Sequence, residues 1–414
     1  MTKQETPRRI AIVGGGIGGF TTAQELRRLG FDGSITMIEP EGLPYDRPPL
    51  SKQYLAGESS ADDLLFVEEA WYREAQIDLI TSHADRISPT ERSVLCDGGV
   101  QVEADAVVLA TGGEARVLDV PGAESPAVMS LRTKGDADRL REHLRAAEPL
   151  VIVGAGLIGA EVASTAATMD APVTLVDPAA VPLIPAVGQV LAERLHAMHR
   201  DAGVDTLTGT VAQITDRDGT ATLTVEGLPS GPTQVSASCV LVAIGIVPST
   251  SLAESAGLDI DDGVLVDHAQ RTSNPAIFAV GDAARHRTAD GMLLRRHEHW
   301  ESAMNHGRTA AAALLGVDLP KLGSSWFWSD RYGVHVEGVG SMLAPGRDVV
   351  RAVDGIPQVA FRVSDDNLLV GCAAIDDSHA VRAARRIIDR KIVVDDDALA
   401  DPTIALKGKS FRAR

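Results

Sequence analysis

The chain has 414 residues, enough for two or three domains, and its 44% hydrophobic content suits a globular protein with a sizeable core. Its formal charge of −18 argues against general nucleic-acid binding. The N-terminus lacks an apolar run, and no later apolar stretch reaches about 18 residues, so we expect a cytoplasmic protein without signal peptide or membrane helix.

The first apolar run, RIAIV, leads into the glycine-rich segment GGGIGG. Gly14, Gly16 and Gly19 form the pattern G-x-G-x-x-G, which allows a tight turn, a close approach of pyrophosphate and close helix–strand packing. Such glycines alone are common in loops that bind nothing. Here a second strand, 34–38, ends at the acidic Glu39 at the expected distance, so the segment predicts a bound dinucleotide.

The same pattern occurs a second time. The run LVIV leads into GAGLIG with Gly154, Gly156 and Gly159, and the strand 173–176 is followed by Asp177. Two independent fingerprints predict two dinucleotides, and a protein that holds both is best explained as one that passes electrons between them. A carboxylate at Asp177 suits a ribose 2′-hydroxyl, and no basic residue follows it in sequence until Arg194, which favours NADH over NADPH.

The pattern of elements indicates three parts. Residues 1–112 with 246–318 look like one doubly wound α/β unit, and residues 113–245 look like a second one inserted into it. A third part starts near Pro320, where the sequence SSWFWSDRYGVHVEGVG predicts antiparallel strands. Within it, Ser378 to Lys391 has helical spacing, and the tail from residue 401 looks irregular.

Apolar runs also end in small residues at three other places. AVVLATGG and VLVAIG are candidates for the chain's crossings between the two nucleotide units. AIFAVGD ends at Asp282, for which a helix N-cap and a ligand contact are equally good interpretations on sequence alone.

Cysteine and histidine spacing argues against metal sites. Cys96, Cys239 and Cys372 lie far apart and form no C-x-x-C or zinc spacing, which also disfavours a disulfide framework and a cysteine-bound iron–sulfur cluster. The segment RRHEHW, with His297 and His299 flanking Glu298, lacks the i, i+4 spacing of a helical zinc motif. We therefore expect no metal and read RRHEHW as a supporting loop.

Several segments together resemble one family. They are the double fingerprint, PYDRPPLSK, LRT, AVGD, EHW and WFWSD, in order from about Arg9 to the DPTIALK segment near the C-terminus. The sequence resembles the NADH-dependent ferredoxin reductases of bacterial oxygenase systems. PYDRPPLSK and WFWSD carry the resemblance, because a generic Rossmann protein has no reason to contain them.

The resemblance implies a fold and an activity. The fold is α/β, with two Rossmann-like dinucleotide-binding domains of the glutathione-reductase kind and a C-terminal α+β interface domain. It divides the chain into an FAD-binding domain (1–112 and 246–318), an NADH-binding domain (113–245) and an interface domain (319–414). Electrons pass from NADH through noncovalent FAD to a small [2Fe–2S] ferredoxin, which supplies a cytochrome P450 or a Rieske dioxygenase.

The resemblance also assigns residues to each cofactor. The implied FAD contacts are Gly14, Gly16, Gly18, Gly19, Glu39, Arg47, Lys52, Ala84, Arg132, Asp282, Trp300 and Trp328. The implied NADH contacts are Gly154, Gly156, Ile158, Gly159, Asp177 and Gly245. Trp326 is read as an ordinary core aromatic.

Lys52 and Glu161 are the candidate catalytic pair. The resemblance places the lysine beside flavin N5, where it can donate a hydrogen bond or a proton, and the glutamate against the lysine. On sequence alone, a solvated loop lysine and a first-turn helix acid favoured by the helix dipole explain the two residues better.

Two other functions use a similar architecture. A disulfide reductase or an NADH oxidase or peroxidase needs a reactive cysteine in the helix after the first fingerprint, where this chain has PPLSK. A flavoprotein like apoptosis-inducing factor acts largely through partners and nucleic acid, and the basic surface expected for it disagrees with a charge of −18.

A basic helix is the candidate docking surface for the ferredoxin, which the resemblance implies is acidic. Arg382, Arg386 and Arg390 follow each other at i, i+4 and i+8 with Arg385 beside them, while the inward face is marked by Val381, Ala384 and Ile388. A solvated helix face that balances nearby acids explains the same pattern equally well.

Overall fold

The computed structural model describes residues 6–406, so Lys407, the last residue of the DPTIALK segment, lies outside them. The described chain forms two compact units. The first contains the chain up to Arg47 together with Ala61–Glu114 and Ile246–Leu322. The second contains Pro48–Ser60, Ala115–Gly245 and the chain from Gly323 onward. The division into three domains expected from the sequence stays a prediction.

The strands are short and follow each other in this order along the chain: β1 (Arg9–Val13), β2 (Ser34–Ile38), β3 (Ile77–Ile80), β4 (Ala84–Ser88), β5 (Ser93–Cys96), β6 (Gln101–Glu103), β7 (Ala106–Leu109), β8 (Gly113–Ala115), β9 (Val128–Ser130), β10 (Leu150–Val153), β11 (Val173–Asp177), β12 (Asp205–Thr208), β13 (Thr210–Arg217), β14 (Thr220–Glu226), β15 (Thr233–Ala237), β16 (Cys239–Val242), β17 (Ile246–Pro248), β18 (Val264–Val266), β19 (Ile277–Ala279), β20 (Ala284–His286), β21 (Trp326–Arg331), β22 (Val334–Gly340), β23 (Arg347–Val353), β24 (Ile356–Val363) and β25 (Leu369–Ile375).

The α-helices between them are α1 (Ile17–Arg28), α2 (Gln53–Ala56), α3 (Glu69–Glu74), α4 (Lys134–Arg145), α5 (Leu157–Thr168), α6 (Ile184–Val187), α7 (Gln189–Asp201), α8 (Ser251–Ser255), α9 (Trp300–Leu315), α10 (Ser378–Asp389) and α11 (Asp396–Ala400). Short 3₁₀ turns occur at Pro48–Ser51, Asp62–Leu64, Asp97–Gly99 and Gly281–Ala283.

A parallel five-stranded sheet with the order β19-β7-β1-β2-β3 organises the first unit. Its central strand is fully buried at Ile10 and Ile12, as expected for a parallel sheet covered on both faces. Val13 pairs with Ile38 at the carboxyl ends of β1 and β2. The glycine turn and Glu39 therefore leave the sheet side by side.

A second parallel sheet, β12-β11-β10-β16-β9, lies in the second unit. Val153 pairs with Val176, so Gly154 and Asp177 also leave at one edge. The predicted α/β fold with two Rossmann-like sheets is confirmed.

The C-terminal part of the second unit is an antiparallel sheet, β21-β22-β25-β24-β23. Trp326 pairs with Val339 and Arg331 with Val334, which confirms the antiparallel strands predicted from alternating residues. Helix α10 follows β25, and its buried face includes Val381 and Ala384, as the sequence predicts. The predicted helix thus exists and ends two residues before Lys391.

One interpretation of the sequence is wrong. Asp282 is not the N-cap of an α-helix, because it lies within the 3₁₀ turn Gly281–Ala283, and strand β20 follows directly. The small residues after Asp282 favour a helix by propensity. They form strand β20 instead, because this segment pairs in parallel with Val264–Val266, and pairing with a distant strand outweighs the local helix propensity.

Among residues 6–406, no helix is both long and apolar enough to cross a membrane.

Candidate functional site

The first glycine turn depends on residues without side chains. Gly14 has φ +104°, and a Cβ atom on Gly19 would lie 2.0 Å from the Gly14 carbonyl oxygen. Helix α1 can therefore approach strand β1 only because both positions are glycine. The Glu39 carboxylate crosses to this turn and accepts a hydrogen bond from the Gly15 N–H at 2.5 Å.

The second glycine turn repeats this arrangement. Gly154 again has φ +104°, and a Cβ atom on Gly159 would lie 1.9 Å from the Gly154 carbonyl oxygen. Asp177 accepts a hydrogen bond from the Ala155 N–H at 2.8 Å. The two acids predicted to contact ribose thus lie directly beside their glycine turns, where an adenosine ribose is expected.

The helices after the two turns begin without side-chain caps. Gly16 and Gly156 occupy the N-cap positions of α1 and α5, and within the described chain neither helix has a side-chain cap or an acidic residue in its first turn. Helix α4, by contrast, has a complete capping box formed by Thr133 and Asp136. Uncapped N–H groups at the positive end of a helix dipole suit a pyrophosphate. Both sites therefore fit a dinucleotide.

Other residues predicted for FAD also lie in the first unit. The Arg47 guanidinium is 3.6 Å from the Glu41 carboxylate, which also accepts a hydrogen bond from the Tyr45 hydroxyl at 2.7 Å. Trp300 is the first residue of α9, and its indole N–H donates to Asp46 at 2.8 Å. The segment PYDRP is thereby held at both Tyr45 and Asp46.

Three further residues that were predicted to contact FAD are Gly18, Ala84 and Asp282. A Cβ atom on Gly18 would make ordinary contact with the Ala303 carbonyl oxygen at 3.4 Å, whereas a Cβ atom on Gly307 of α9 would lie 2.5 Å from the Gly18 carbonyl oxygen, so Gly307 lets α9 pack closely on α1. Ala84 is the first residue of β4, and the Asp282 carbonyl oxygen accepts a hydrogen bond from Arg296. Their contacts with FAD stay predictions.

Lys52 lies in the second unit within a group of charged side chains. Its Nζ atom is 3.0 Å from Asp330 Oδ2 and 3.8 Å from Glu161 Oε1. Its side chain is only 10% exposed, so the interpretation as a solvated loop lysine is wrong. The structure brings Lys52 and Glu161 together as predicted, but the nearer carboxylate is that of Asp330.

Glu161 is held mainly by neutral hydrogen-bond donors. Its carboxylate accepts hydrogen bonds from the Ser51 hydroxyl at 2.5 Å and from the Ser329 hydroxyl at 2.6 Å. The residue is 4% exposed and is the fifth residue of α5, so the interpretation as a first-turn helix acid is wrong. Its orientation is therefore fixed independently of Lys52.

Arg331 adds a second buried cation. The residue is 2% exposed, and its Nη2 atom donates to the Ser329 hydroxyl oxygen at 2.8 Å. Burial lowers the pKa of Arg331, while attraction to Glu161 opposes that effect. Two cations, Lys52 and Arg331, thus accompany two carboxylates, Glu161 and Asp330.

Sequence reasoning assigned no role to Ser51, Ser329 or Asp330. A signal was present, because Ser51 lies within PYDRPPLSK, and Ser329 and Asp330 lie within WFWSD. Arg331 follows directly. These two segments are far apart in sequence, and only the fold shows that they meet at Glu161.

Trp328 and Arg132, both predicted to contact FAD, lie in the second unit. The Lys52 Nζ atom is 5.5 Å from the ring centre of Trp328, within cation–π range. Trp326 stacks on Trp328 at 5.0 Å between ring centres and also packs against the C-terminal core, as predicted. The Arg132 backbone N–H donates to Asp136 beside the start of α4.

The surroundings of Asp177 differ from the sequence expectation. Although Arg194 is the first basic residue after Asp177 in sequence, the structure places His196 and Arg200 of α7 in one depression with Ala180. The carboxylate of Asp177 acts electrostatically on His196, although burial dominates and lowers the pKa of that histidine. Basic side chains are therefore closer to this site than the sequence suggested.

The remaining positions predicted for NADH lie near the same sheet. Ile158, in the first turn of α5, is 45% exposed, so its side chain is accessible to a ligand. Gly245 has φ +102°, and its carbonyl oxygen accepts a hydrogen bond from the Arg116 N–H at 2.9 Å.

The cysteines lie in apolar cores. Cys96, Cys239 and Cys372 are free thiols and are each at most 1% exposed. Burial raises the pKa of all three, that of Cys239 to about 12, so the reactive thiolate is disfavoured. Among the residues that the structure describes, no cluster of histidine, cysteine or acidic side chains is arranged to hold a metal ion.

Comparison with known proteins agrees with this geometry. Residues 8–307 match the pyridine nucleotide-disulphide oxidoreductase family, and residues 326–409 match the reductase C-terminal family. The p-cumate 2,3-dioxygenase system ferredoxin–NAD(+) reductase component of Pseudomonas putida is 36% identical over 96% of this chain and 98% of its own. The benzene 1,2-dioxygenase system ferredoxin–NAD(+) reductase subunit of Pseudomonas putida is 34% identical over 95% of each.

A solved structure is similar over almost the same length. It is the reductase in the covalent putidaredoxin reductase–putidaredoxin complex, with a TM-score of 0.89 and 30% identity, covering 97% of this chain and 98% of its own. The chain therefore belongs to the pyridine nucleotide-disulphide oxidoreductase family, and within it to the ferredoxin reductases of oxygenase systems.

Proposed function

We propose that this protein is an NADH-dependent ferredoxin reductase that supplies electrons to an oxygenase. The observation that carries the proposal is the pair of glycine turns, each opening into an uncapped helix and each approached by a strand-end carboxylate. When bound, FAD accepts a hydride from NADH and releases the electrons singly, as a [2Fe–2S] ferredoxin requires. The named relatives, which serve dioxygenase systems, support this partner.

In this proposal the chain's residues bind and orient more than they react. The turn at Gly14–Gly16 and Glu39 hold FAD, and the turn at Gly154–Gly156 and Asp177 hold NADH. Lys52 supplies a fixed positive charge and a proton donor to the flavin, and Asp330 and Glu161 hold it in place. The remaining FAD and NADH contacts named from the resemblance belong to the same proposal, as does the cytoplasmic location.

The thiol-dependent alternatives need a reactive cysteine. All three cysteines of this chain are buried and their thiols are held neutral, which supports electron transfer by flavin alone. A function through nucleic-acid partners has no support in the net charge of −18.

A stopped-flow experiment tests the function. The FAD-loaded protein is mixed with NADH and then with ferricyanide or with a [2Fe–2S] ferredoxin from an oxygenase system. We expect NADH to bleach the flavin and both acceptors to restore it. A flavin that NADH cannot bleach, or reduced protein that passes electrons to hydrogen peroxide but to no ferredoxin, would contradict the proposal.

Coenzyme choice provides a prediction about Asp177. We expect kcat/KM to favour NADH over NADPH by about 100-fold, because a carboxylate repels a 2′-phosphate by several kcal/mol. Asp177→Ala should lower the ratio of kcat/KM with NADH to kcat/KM with NADPH, mainly by weakening the binding of NADH. Because Arg200 and His196 line the neighbouring depression, Asp177→Ala with Arg200→Ala should bind NADPH less well than Asp177→Ala alone. Equal efficiency of the wild type with both coenzymes would disprove the role of Asp177.

A second prediction concerns Lys52. Lys52→Met should slow reduction of the flavin by NADH by at least about tenfold while FAD stays bound, since a proton donor contributes to the reaction and the glycine turns hold the phosphates. Rapid-scan absorbance measures the rate, and released flavin measures binding. Lys321→Met, at an exposed lysine, is the matched control and should leave both unchanged. Loss of FAD from Lys52→Met would show that the lysine serves binding instead.

The basic helix α10 provides a prediction about ferredoxin docking. Arg382, Arg386 and Arg390 are exposed, which leaves their charges available to an acidic partner. Arg386→Glu with Arg390→Glu should raise the KM for ferredoxin roughly fivefold and weaken its dependence on salt, because charges at an interface rim act mainly on association. Turnover with ferricyanide should not change.

A charge-matched control separates docking from general repulsion. Arg73→Glu with Arg86→Glu alters the net charge equally at exposed positions of the first unit. If both double variants raise the KM for ferredoxin equally, α10 is not the docking surface.

A further inference from the structure

The charged group around Lys52 continues toward the surface through one more side chain. His335 Nδ1 donates to Asp330 Oδ1 at 2.5 Å, while the other oxygen of that carboxylate is 3.0 Å from Lys52 Nζ. Side-chain exposure rises along this chain from 10% at Lys52 to 37% at Asp330 and 39% at His335. A buried ammonium group is thus connected to solvent by a continuous line of hydrogen bonds.

The other neighbours of Lys52 do not provide this connection. Glu161 is 4% exposed, and its oxygens are occupied by the hydroxyls of Ser51 and Ser329. The ring of Trp328 carries no group that exchanges protons with the lysine. Asp330 is therefore the neighbour through which Lys52 can exchange a proton with the outside.

Three acidic residues lie around His335, one on β21, one on its own strand β22 and one directly after β25. Within β21 and β22, Asp330 pairs with His335 in register, and the Glu337 carboxylate is 3.9 Å from His335 Nε2. Asp376, after β25, accepts a hydrogen bond from the His335 backbone N–H at 2.7 Å. An imidazole with two ring nitrogens can accept a proton at one and release a proton from the other, as a relay requires.

The protonation state of Asp330 agrees with its contacts to His335 and Lys52. Burial alone would raise the pKa of this carboxyl, but the hydrogen bond from His335 and the charge of Lys52 outweigh burial and hold the pKa below its ordinary value. Asp330 therefore rests as a carboxylate between two proton carriers.

We propose that Lys52, Asp330 and His335 form a proton relay that connects the flavin site with solvent. The proposal rests on the function proposed above, because it assumes that Lys52 serves the flavin. Oxidation of NADH by two one-electron acceptors leaves one proton over, since NADH yields NAD⁺, two electrons and H⁺. A buried site must pass that proton to water, and the relay supplies the route.

Each step of the relay moves a proton and no electron. An N–H bond of Lys52 breaks as an O–H bond forms on Asp330 Oδ2. Rotation of the carboxyl group then presents this proton to Nδ1 of His335 in the neutral tautomer that carries its proton on Nε2. The resulting imidazolium releases its Nε2 proton to water, which leaves the Nδ1–H that donates to the Asp330 carboxylate. The same steps in reverse return a proton to Lys52. Asp330 and His335 act through the lysine and are positioning residues of the proposed reaction.

The direct test measures proton exchange at Lys52 in the oxidised, FAD-loaded protein without NADH. ¹⁵N NMR of the lysine ammonium group gives the exchange rate of its protons with water, and Lys52→Met identifies the signal. His335→Asn keeps a side-chain donor toward Asp330 but cannot relay a proton. We expect it to slow exchange at Lys52 by about tenfold or more, within the range for removal of a proton-transfer group.

A matched control and a rescue separate relay from packing. His143 Nδ1 pairs with Glu148 at 3.0 Å, and its side chain is 39% exposed, like that of His335, so His143→Asn should leave exchange at Lys52 unchanged. Added imidazole should restore the exchange rate of His335→Asn toward the wild-type rate, which repair of a packing defect would not explain. Asp330→Asn should slow exchange without being rescued.

Turnover with NADH and ferricyanide completes the test. We expect His335→Asn to lower the rate severalfold near neutral pH, to flatten its dependence on pH and to regain it with imidazole. If the wild type shows no turnover with NADH, the proposed function fails while the exchange experiment still decides the relay. If wild-type turnover is normal and His335→Asn exchanges protons at Lys52 as fast as the wild type, the relay is wrong and the proposed function stands.

Discussion

Each nucleotide site depends on one hydrogen bond between a strand-end carboxylate and the backbone of a glycine turn. Glu39 makes it to Gly15 and Asp177 makes it to Ala155. Because parallel strands end at the same edge of a sheet, this bond can form only when the strands pair in the observed register. It holds the turn in place and leaves the first N–H groups of the following helix available to phosphate oxygens.

The charged group at Lys52 is organised by a different constraint, which is the cost of burying charge. An unpaired ion in such surroundings would cost several kcal/mol, so each buried cation needs a nearby anion and further hydrogen bonds. Glu161, a buried anion, accepts hydrogen bonds from two serine hydroxyls and lies near two cations. Lys52, a buried cation, is paired mainly with Asp330. A lysine held in this way keeps its position, as its proposed role beside a flavin requires.

The three cysteines lack the surroundings that a reactive thiol needs. The family to which it belongs is named for disulphide chemistry, yet Cys96, Cys239 and Cys372 lie in apolar cores with no neighbouring cation strong enough to stabilise a thiolate. The same two-dinucleotide fold can therefore serve a reaction in which the flavin alone carries the electrons. Function here follows from the side chains at the sites, since the fold is common to several chemistries.

The sequence by itself determined the two Rossmann-like sheets, the acids at their edges and the antiparallel C-terminal strands, because these depend on local periodicity and on glycines at fixed spacing. It also determined the exposed stripe of α10, which follows from helical geometry. Only the tertiary structure decided that Asp330 is the nearer partner of Lys52, that His196 and Arg200 line one depression with Ala180 and that a strand follows Asp282. Each of these depends on contacts between residues far apart in sequence, and local pattern carries no information about which distant segments will pack together.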